Sequence, residues 1–215
     1  DLNSENKDFV NIVDVCYLGA MGSISSGRTI SARYMRYFVI HYAENYEQKT
    51  LEKIYDNIVQ WFFNKTKNPN FDSRILSLKT DLRNSTVKLY QEVVSNFKAT
   101  PAKTHYQFNL RDISRVFLGI SRANARTVQD ENDMVCLWIH ECERIFKDRL
   151  VNQEDRDLYD TILRKVLKQS MRRENPREGE DVLWGDFVNM IFIDGDPKKG
   201  CIEGQYCELK QEKLL

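Results

Sequence analysis

The sequence predicts a mainly α-helical protein with a small α/β part, and three observations carry that expectation. Apolar residues recur at helical spacing through most of the chain between residues 47 and 172. Two short runs rich in β-branched and aromatic residues, 12–21 and 38–43, precede them. From residue 175 onward the composition turns to Gly, Pro and charge. At 215 residues the chain has room for one large domain or two small ones. Its 32 Lys+Arg balance 32 Asp+Glu, so no net field steers it to nucleic acid or an anionic membrane. With 30% charged and 41% hydrophobic residues it can build a core. No run approaches the roughly eighteen apolar residues that span a bilayer. The chain opens Asp-Leu-Asn-Ser, with neither a signal peptide nor an initiator methionine, and is expected to be a piece of something longer.

Taken in order, residues 1–10 are polar and acidic and read as a loop. Residues 12–21 (Ile-Val-Asp-Val-Cys-Tyr-Leu-Gly-Ala-Met) and 38–43 (Phe-Val-Ile-His-Tyr-Ala) read as buried strands. Between them lies a Ser- and Gly-rich loop, 22–31, and a helical turn carrying Arg33 and Arg36. Two strands do not make a finished sheet, so further strands are expected outside them. A first helix from Glu47 shows the stripe Leu51, Ile54, Tyr55, Ile58, Trp61 and Phe62, broken at Asn68-Pro69-Asn70. A second carries Ile75, Leu78, Leu82, Leu89, Val93 and Phe97 and stops before Pro101. The third spans the organising motif described next. Asp130 can cap a fourth with Met134, Leu137, Trp138, Ile145 and Leu150, and a fifth places Leu158, Ile162, Val166 and Met171 inward. In the tail, 182–193 is expected to dock back and 204–209 to add a short strand.

The organising motif is 105–120, His-Tyr-Gln-Phe-Asn-Leu-Arg-Asp-Ile-Ser-Arg-Val-Phe-Leu-Gly-Ile. Asn109 reads as an N-cap, and Asp112 complements the helix dipole in the first turn. Leu110, Ile113, Val116, Phe117 and Ile120 form an apolar face. Arg111 and Arg115, four apart, project from one side. An arginine beside a helix start can clamp a phosphate through two parallel hydrogen bonds; equally, it can be solvated and paired with Asp112 or another acid.

The five cysteines, Cys16, Cys136, Cys142, Cys201 and Cys207, are scattered and odd in number, which suits a reducing compartment better than a disulfide framework. Cys136, His140 and Cys142 crowd one helical segment. His140-Glu141 begins the pattern His-Glu-x-x-His, but position 144 is Arg, so a tetrahedral metal site lacks ligands and no metal is expected.

Four collinear stretches resemble the dynein heavy chain, specifically its third AAA+ module and the axonemal forms. Residues 100–120 resemble the lid subdomain. Residues 12–28 resemble the strand and glycine-rich loop usually seen as Ala-Met-Gly-Pro-Pro-Gly-Gly-Gly-Arg, although Ser23-Ile24-Ser25-Ser26 stands where that pattern has Pro-Pro-Gly-Gly. Arg33-Tyr-Met-Arg-Tyr-Phe resembles Arg-Phe-Leu-Arg-His-Phe. Residues 137–156, the fourth stretch, resemble a long lid helix; beyond these four, Trp184-Gly-Asp-Phe resembles a later turn. The resemblance implies an incomplete AAA+ large subdomain with two strands (1–46), a helical lid bundle (47–175) and a tail leading towards the next module (176–215).

By the same resemblance, Arg111 is the lid arginine that reaches nucleotide phosphates, and Gly22 falls at the position of a γ-phosphate sensor. Gly22 brings no side chain to that position. Arg36, and secondarily Arg33, are arginine-finger candidates for the preceding module's site; the alternative is pairing with an acid across an interface. The implied cofactor is ATP or ADP with Mg2+, most of whose ligands lie outside this chain. The implied partners are neighbouring AAA+ modules, other dynein subunits and the microtubule, with no nucleic acid and no membrane. The implied location is cytoplasmic, on the cytoskeleton of a cilium or flagellum. No Gly-x-x-x-x-Gly-Lys-[Ser/Thr] loop occurs, so this chain alone is not expected to hydrolyse ATP and holds no catalytic residue of its own. The alternative function is a non-enzymatic helical interaction module.

Overall fold

A computed structural model describes residues 13–22, 29–44, 46–64, 71–177, 179, 182–187, 190–192, 201–204 and 206–209. The loop at 23–28 and the break at 68–70 lie outside the described residues. The chain divides into two units, Asp1–Asn45 and Tyr46–Leu215.

Among the described residues of the first unit the one regular element is α1 (Ala32–Met35), the helical turn expected around Arg33 and Arg36. Residues 13–22 and 39–44 carry no strand hydrogen bonding among the described residues. Val13, Val15, Tyr17, Leu18, Val39, Ile40 and Tyr42 are all exposed. The buried strands expected there are therefore not formed. An apolar β-branched run becomes a strand only where a neighbouring strand completes its ladder, and no described segment pairs with either run.

The second unit is a helical bundle: α2 (Gln48–Phe62), α3 (Ser73–Ser77), α4 (Lys79–Asn96), α5 (Leu110–Ile120), α6 (Glu131–Ile145) and α7 (Gln153–Val166). A 3-10 turn, Lys147–Arg149, follows α6, and α7 runs on into a π turn, Leu167–Met171. The central element is α6. Its sequence Met-Val-Cys-Leu-Trp-Ile-His-Glu-Cys is apolar nearly all round, and every residue from Met134 to Cys142 is buried. Asp130 starts it as expected, in a reciprocal capping box with Asp133. Where Trp138 enters the core its indole N–H donates to Thr86 Oγ1 at 2.8 Å, and the Thr86 hydroxyl donates on to the Leu82 carbonyl at 2.7 Å. Both polar groups are thereby satisfied away from water.

The expected core stripe of the second helix is buried throughout, from Ile75 to Phe97, although the segment breaks at Leu78 into α3 and α4. On α2 the buried arc is Leu51, Tyr55, Val59 and Phe62, while Ile54, Ile58 and Trp61 remain exposed. On α7, Tyr159 is fully buried and Leu158 is exposed. In both helices the observed face lies one residue round from part of the expected stripe. An apolar stripe wider than the contact leaves one margin in solvent, and the neighbouring helices decide which. Polar staples tie the bundle together: Arg83 of α4 to Asp56 of α2 at 2.6 Å, and Lys147 to Asp160 of α7 at 2.7 Å.

The tail carries the strands. β1 (Trp184–Gly185) pairs antiparallel with β4 (Cys207–Glu208), and β2 (Met190–Phe192) with β3 (Cys201–Gly204). The docking of 182–187 and the short strand at 207–208 match the expectation for this segment. Among the described residues no helix is long and apolar enough to cross a membrane.

Candidate functional site at the two ends of α5

The site is built on how α5 begins. Asn109 is an N-cap whose side chain accepts from the Arg111 N–H at 2.9 Å, while the Asn109 N–H donates to Asp112 Oδ2 at 2.9 Å, closing a capping box. Tyr55 of α2 donates its hydroxyl to the Leu110 carbonyl at 2.8 Å and stacks on Phe117. Asp112 is buried, so its charge needs partners. It finds Arg149 at 3.1 Å and, more loosely, Arg115 at 3.6 Å. Arg149 also donates to the carbonyls of His105 at 3.1 Å and Gln107 at 2.8 Å, and lies over the Phe108 ring. One guanidinium thus fixes both the helix start and the strand-like connector before it.

The same connector is pinned a second time. Tyr106 donates to Asp155 at 2.8 Å and accepts from the Val151 N–H, and Lys103 pairs with the same carboxylate. That lysine bond holds the Asp155 carboxyl below its ordinary range.

Against this background the two arginines separate. Arg115 is exposed but pairs with Asp112, as one of the two sequence readings has it. The Arg111 guanidinium is exposed and has no hydrogen bond or ion pair with any described residue. The capping box already takes up donors at the helix start, so an anion arriving there would meet the side chain of Arg111 rather than a bare helix terminus.

At the other end of α5 the geometry is closed. Gly119 packs so tightly on α6 that a Cβ there would lie 1.9 Å from Glu141 Oε2. Glu141 is fully buried. It accepts two hydrogen bonds from Arg144, at 2.6 and 3.0 Å, and one from the hydroxyl of Tyr206 in the tail. Burial, reinforced by that bond, pushes the Tyr206 phenol well up. Beside it His140 donates Nδ1–H to the Val182 carbonyl at 3.2 Å, with Nε2 buried and without a partner among the described residues. Burial holds this ring below the usual histidine range. Cys142 is fully buried and its thiol pushed up for the same reason, and Cys136 is also buried. Among the described residues no three His, Cys, Asp or Glu side chains gather as a metal site.

In the first unit, Gly22 is exposed at the edge of the described residues. Arg36 follows α1, exposed, with its guanidinium over the Tyr37 ring and donating to the Tyr37 hydroxyl. Arg33 is exposed on α1.

Residues 82–175 match the model of the AAA+ lid domain, which covers α4 to α7. The chain is similar to dynein axonemal heavy chain 1 of Homo sapiens, 34% identical over 191 residues, which is 84% of this chain and 4% of that protein. It is 36% identical over 176 residues to dynein axonemal heavy chain 3 of Mus musculus, covering 80% of this chain and 4% of that protein. It is 31% identical over 214 residues to dynein axonemal heavy chain 12 of Homo sapiens, covering 92% and 7% respectively. The chain belongs to the dynein heavy-chain family of AAA+ proteins. It spans 4% to 7% of the length of these curated relatives.

Within this dynein lid, sequence reasoning found the cap and the first-turn acid, singled out Arg111, which the structure leaves exposed beside that cap, and missed Arg149, Gly119, Glu141 and Tyr206. Two of these left a signal. A glutamate inside an otherwise apolar run must be buried with a partner, and a glycine inside a helix marks a close approach. Arg149 sits in a short polar turn with no periodicity, and nothing local announces that it reaches back to the dynein α5.

Proposed function

We propose that this chain is the nucleotide-responsive lid and sensor region of a regulatory AAA+ module, the third, in an ATP-driven, microtubule-based dynein motor. The observation that carries the reading is Arg111, exposed and without a described partner at a helix start whose own polar groups are already engaged. It stands on the helix of a matched AAA+ lid, in a chain similar to axonemal dynein heavy chains. A guanidinium so placed fits a phosphate, and its fork offers two parallel charge-assisted bonds. ATP or ADP with Mg2+ would supply the scissile phosphoanhydride, with most ligands outside this chain. Arg111 binds and orients the phosphates. Gly22 marks the sensor position at the end of the first extended segment, and Arg36, or secondarily Arg33, offers a finger to a neighbouring module.

A contact between lid and phosphate makes the lid's angle depend on nucleotide, which is the differential interaction a two-state element requires. Residues 1–46 serve as part of the large subdomain, 47–175 as the lid and 176–215 as its tail. The partners are the adjoining AAA+ modules, the other dynein subunits and the microtubule, and the place is the ciliary or flagellar axoneme. The test is Arg111→Ala in the intact heavy chain. Nucleotide-dependent microtubule release should become less sensitive to nucleotide at the third module, while urea stability of the 215-residue chain stays within about 0.5 kcal/mol, as for an exposed substitution. Unchanged nucleotide dependence would remove Arg111 from the sensor role.

A further inference from the structure

The outward face of α5 beyond Arg111 is unused by the proposed sensor role. Ser114, Arg115 and Leu118 recur there at helical spacing, Arg122 follows in the turn just after the helix, and all four are exposed. The one acid on α5, Asp112, is buried beneath them. Leu118 is 65% exposed, the most exposed of the large hydrophobic side chains described between residues 46 and 215. Neither arginine is strongly committed. Arg115 pairs with Asp112 Oδ1 only loosely, at 3.6 Å, while Arg149 at 3.1 Å and the Asn109 N–H at 2.9 Å hold Oδ2. Arg122 makes a distant contact over the Tyr206 ring at 5.9 Å. In a chain with equal numbers of acidic and basic residues, a face with two cations, an aliphatic centre and no exposed acid is a local feature, not a consequence of net charge.

We infer that the α5 face centred on Leu118 is a docking surface for an acidic, glutamate-rich protein segment that carries an apolar side chain between its carboxylates. Arg115 stands one turn before Leu118 on α5, and Arg122 four residues after it, in the turn that follows the helix. Carboxylates of an extended or helical segment can pair with both while one apolar side chain covers the leucine. Charge complementarity selects the sign of the partner, and the leucine selects a protein over a nucleic acid. A phosphate backbone gains nothing from an aliphatic centre, and α5 shows no exposed aromatic on which bases could stack. The phosphate contact assigned to Arg111 lies on the same side of the helix, but seven residues before Leu118, about 10 Å along the axis.

The test uses the 215-residue chain and a fluorescent twelve-residue peptide of glutamates with one central leucine, read by anisotropy. A second peptide replaces that leucine with serine, and a single-stranded oligonucleotide of equal charge serves as the third probe. The leucine peptide should bind about tenfold more tightly than the serine peptide, as expected for covering one aliphatic side chain. Arg115→Gln/Arg122→Gln should weaken it about three- to tenfold, the scale of two exposed ion pairs. Leu118→Ser should erase the difference between the two peptides, and Arg111→Ala should leave it unchanged. Equal binding of both peptides, indifference to the Arg115 and Arg122 changes, or tighter binding of the oligonucleotide would each overturn the inference. Loss of nucleotide response in Arg111→Ala reports on the sensor role alone, so the two readings fail separately.

Discussion

Gly119→Ala is the perturbation with the least ambiguous sign. In an ordinary helix interior this change stabilises by about 1 kcal/mol, because alanine loses less backbone entropy on ordering. Here the new Cβ would lie 1.9 Å from Glu141 Oε2, 2.1 Å from Cδ and 2.6 Å from Oε1. The carboxylate is the tip of a side chain, but it is not free to swing: it is fully buried, with two hydrogen bonds from Arg144 and one from Tyr206. Moving it by the ångström or more required breaks at least one charge-assisted bond in a dry site, at roughly 1.5–3 kcal/mol each. With two such bonds disturbed and the propensity gain subtracted, the net loss is about 2–5 kcal/mol.

The assay is urea denaturation of the chain followed by circular dichroism, in wild type, Gly119→Ala, Glu141→Ala and the double variant. Glu141→Ala alone should also destabilise, since Arg144 and Tyr206 lose their acceptor. In that background the alanine at 119 meets no carboxylate, so its effect should reverse to a gain of up to about 1 kcal/mol. The coupling, and not either single value, is the diagnostic quantity. A Gly119→Ala variant as stable as the wild type would refute the tight seat of α5 on α6.

Other outcomes follow from the same contacts. Arg149→Ala should cost about 2–3 kcal/mol by leaving Asp112 buried with a weaker partner, and should raise amide exchange across residues 105–109; urea midpoints and hydrogen exchange check both. Tyr206→Phe removes a donor to buried Glu141 and should cost about 1–3 kcal/mol, with protection lost at the Leu209 N–H, which bonds to the Leu183 carbonyl at 2.8 Å. For His140, burial depresses the folded-state pKa below the ordinary 6.5, so the unfolded chain binds the proton first. Its contribution is therefore present above pH 6.5 and is lost as pH falls towards the folded value. A flatter stability profile below that pH in His140→Gln checks the assignment, and an unchanged profile sinks it.

Much of the bundle was legible because its signals are local and periodic. Asn109 and Asp130 announce helix starts, and the stripe on α4 is regular enough to fix its buried face. The failures have two physical causes. On α2 and α7 the apolar arc is wider than the contact, so Ile54, Trp61 and Leu158 satisfy the periodicity without being covered. The segments at 13–22 and 39–44 have strand composition, but a strand is a property of a pair, and the sequence of one run says nothing of its partner. At the candidate site, Arg111 stands out in the sequence from its place beside the cap, and its position on α5 is as expected. The residues that immobilise α5 were not, because Arg149 acts across thirty-seven positions and Tyr206 reaches Glu141 across sixty-five.

Those two long-range clamps bear on how a lid could carry a signal. α5 is eleven residues, about 16 Å at the usual rise per residue. At its first turn Asp112 is tied through Arg149 to the connector, and at its last turn Gly119 is locked against Glu141, which also seats the tail through Tyr206. A helix held at both ends has little freedom to slide or rotate by itself. A force applied at Arg111 must therefore move α5, α6 and the docked tail together or break a buried ionic contact, which costs more than a surface pair contributes. On the proposed function, a phosphate gained or lost at Arg111 is thus converted into rotation of the lid as one body, with residues 182–209 as the point of delivery. Weakening the Tyr206 bond should then uncouple the tail while leaving nucleotide affinity at Arg111 intact. Weakening Arg149 should disturb both, because it sits between the phosphate contact and the bundle.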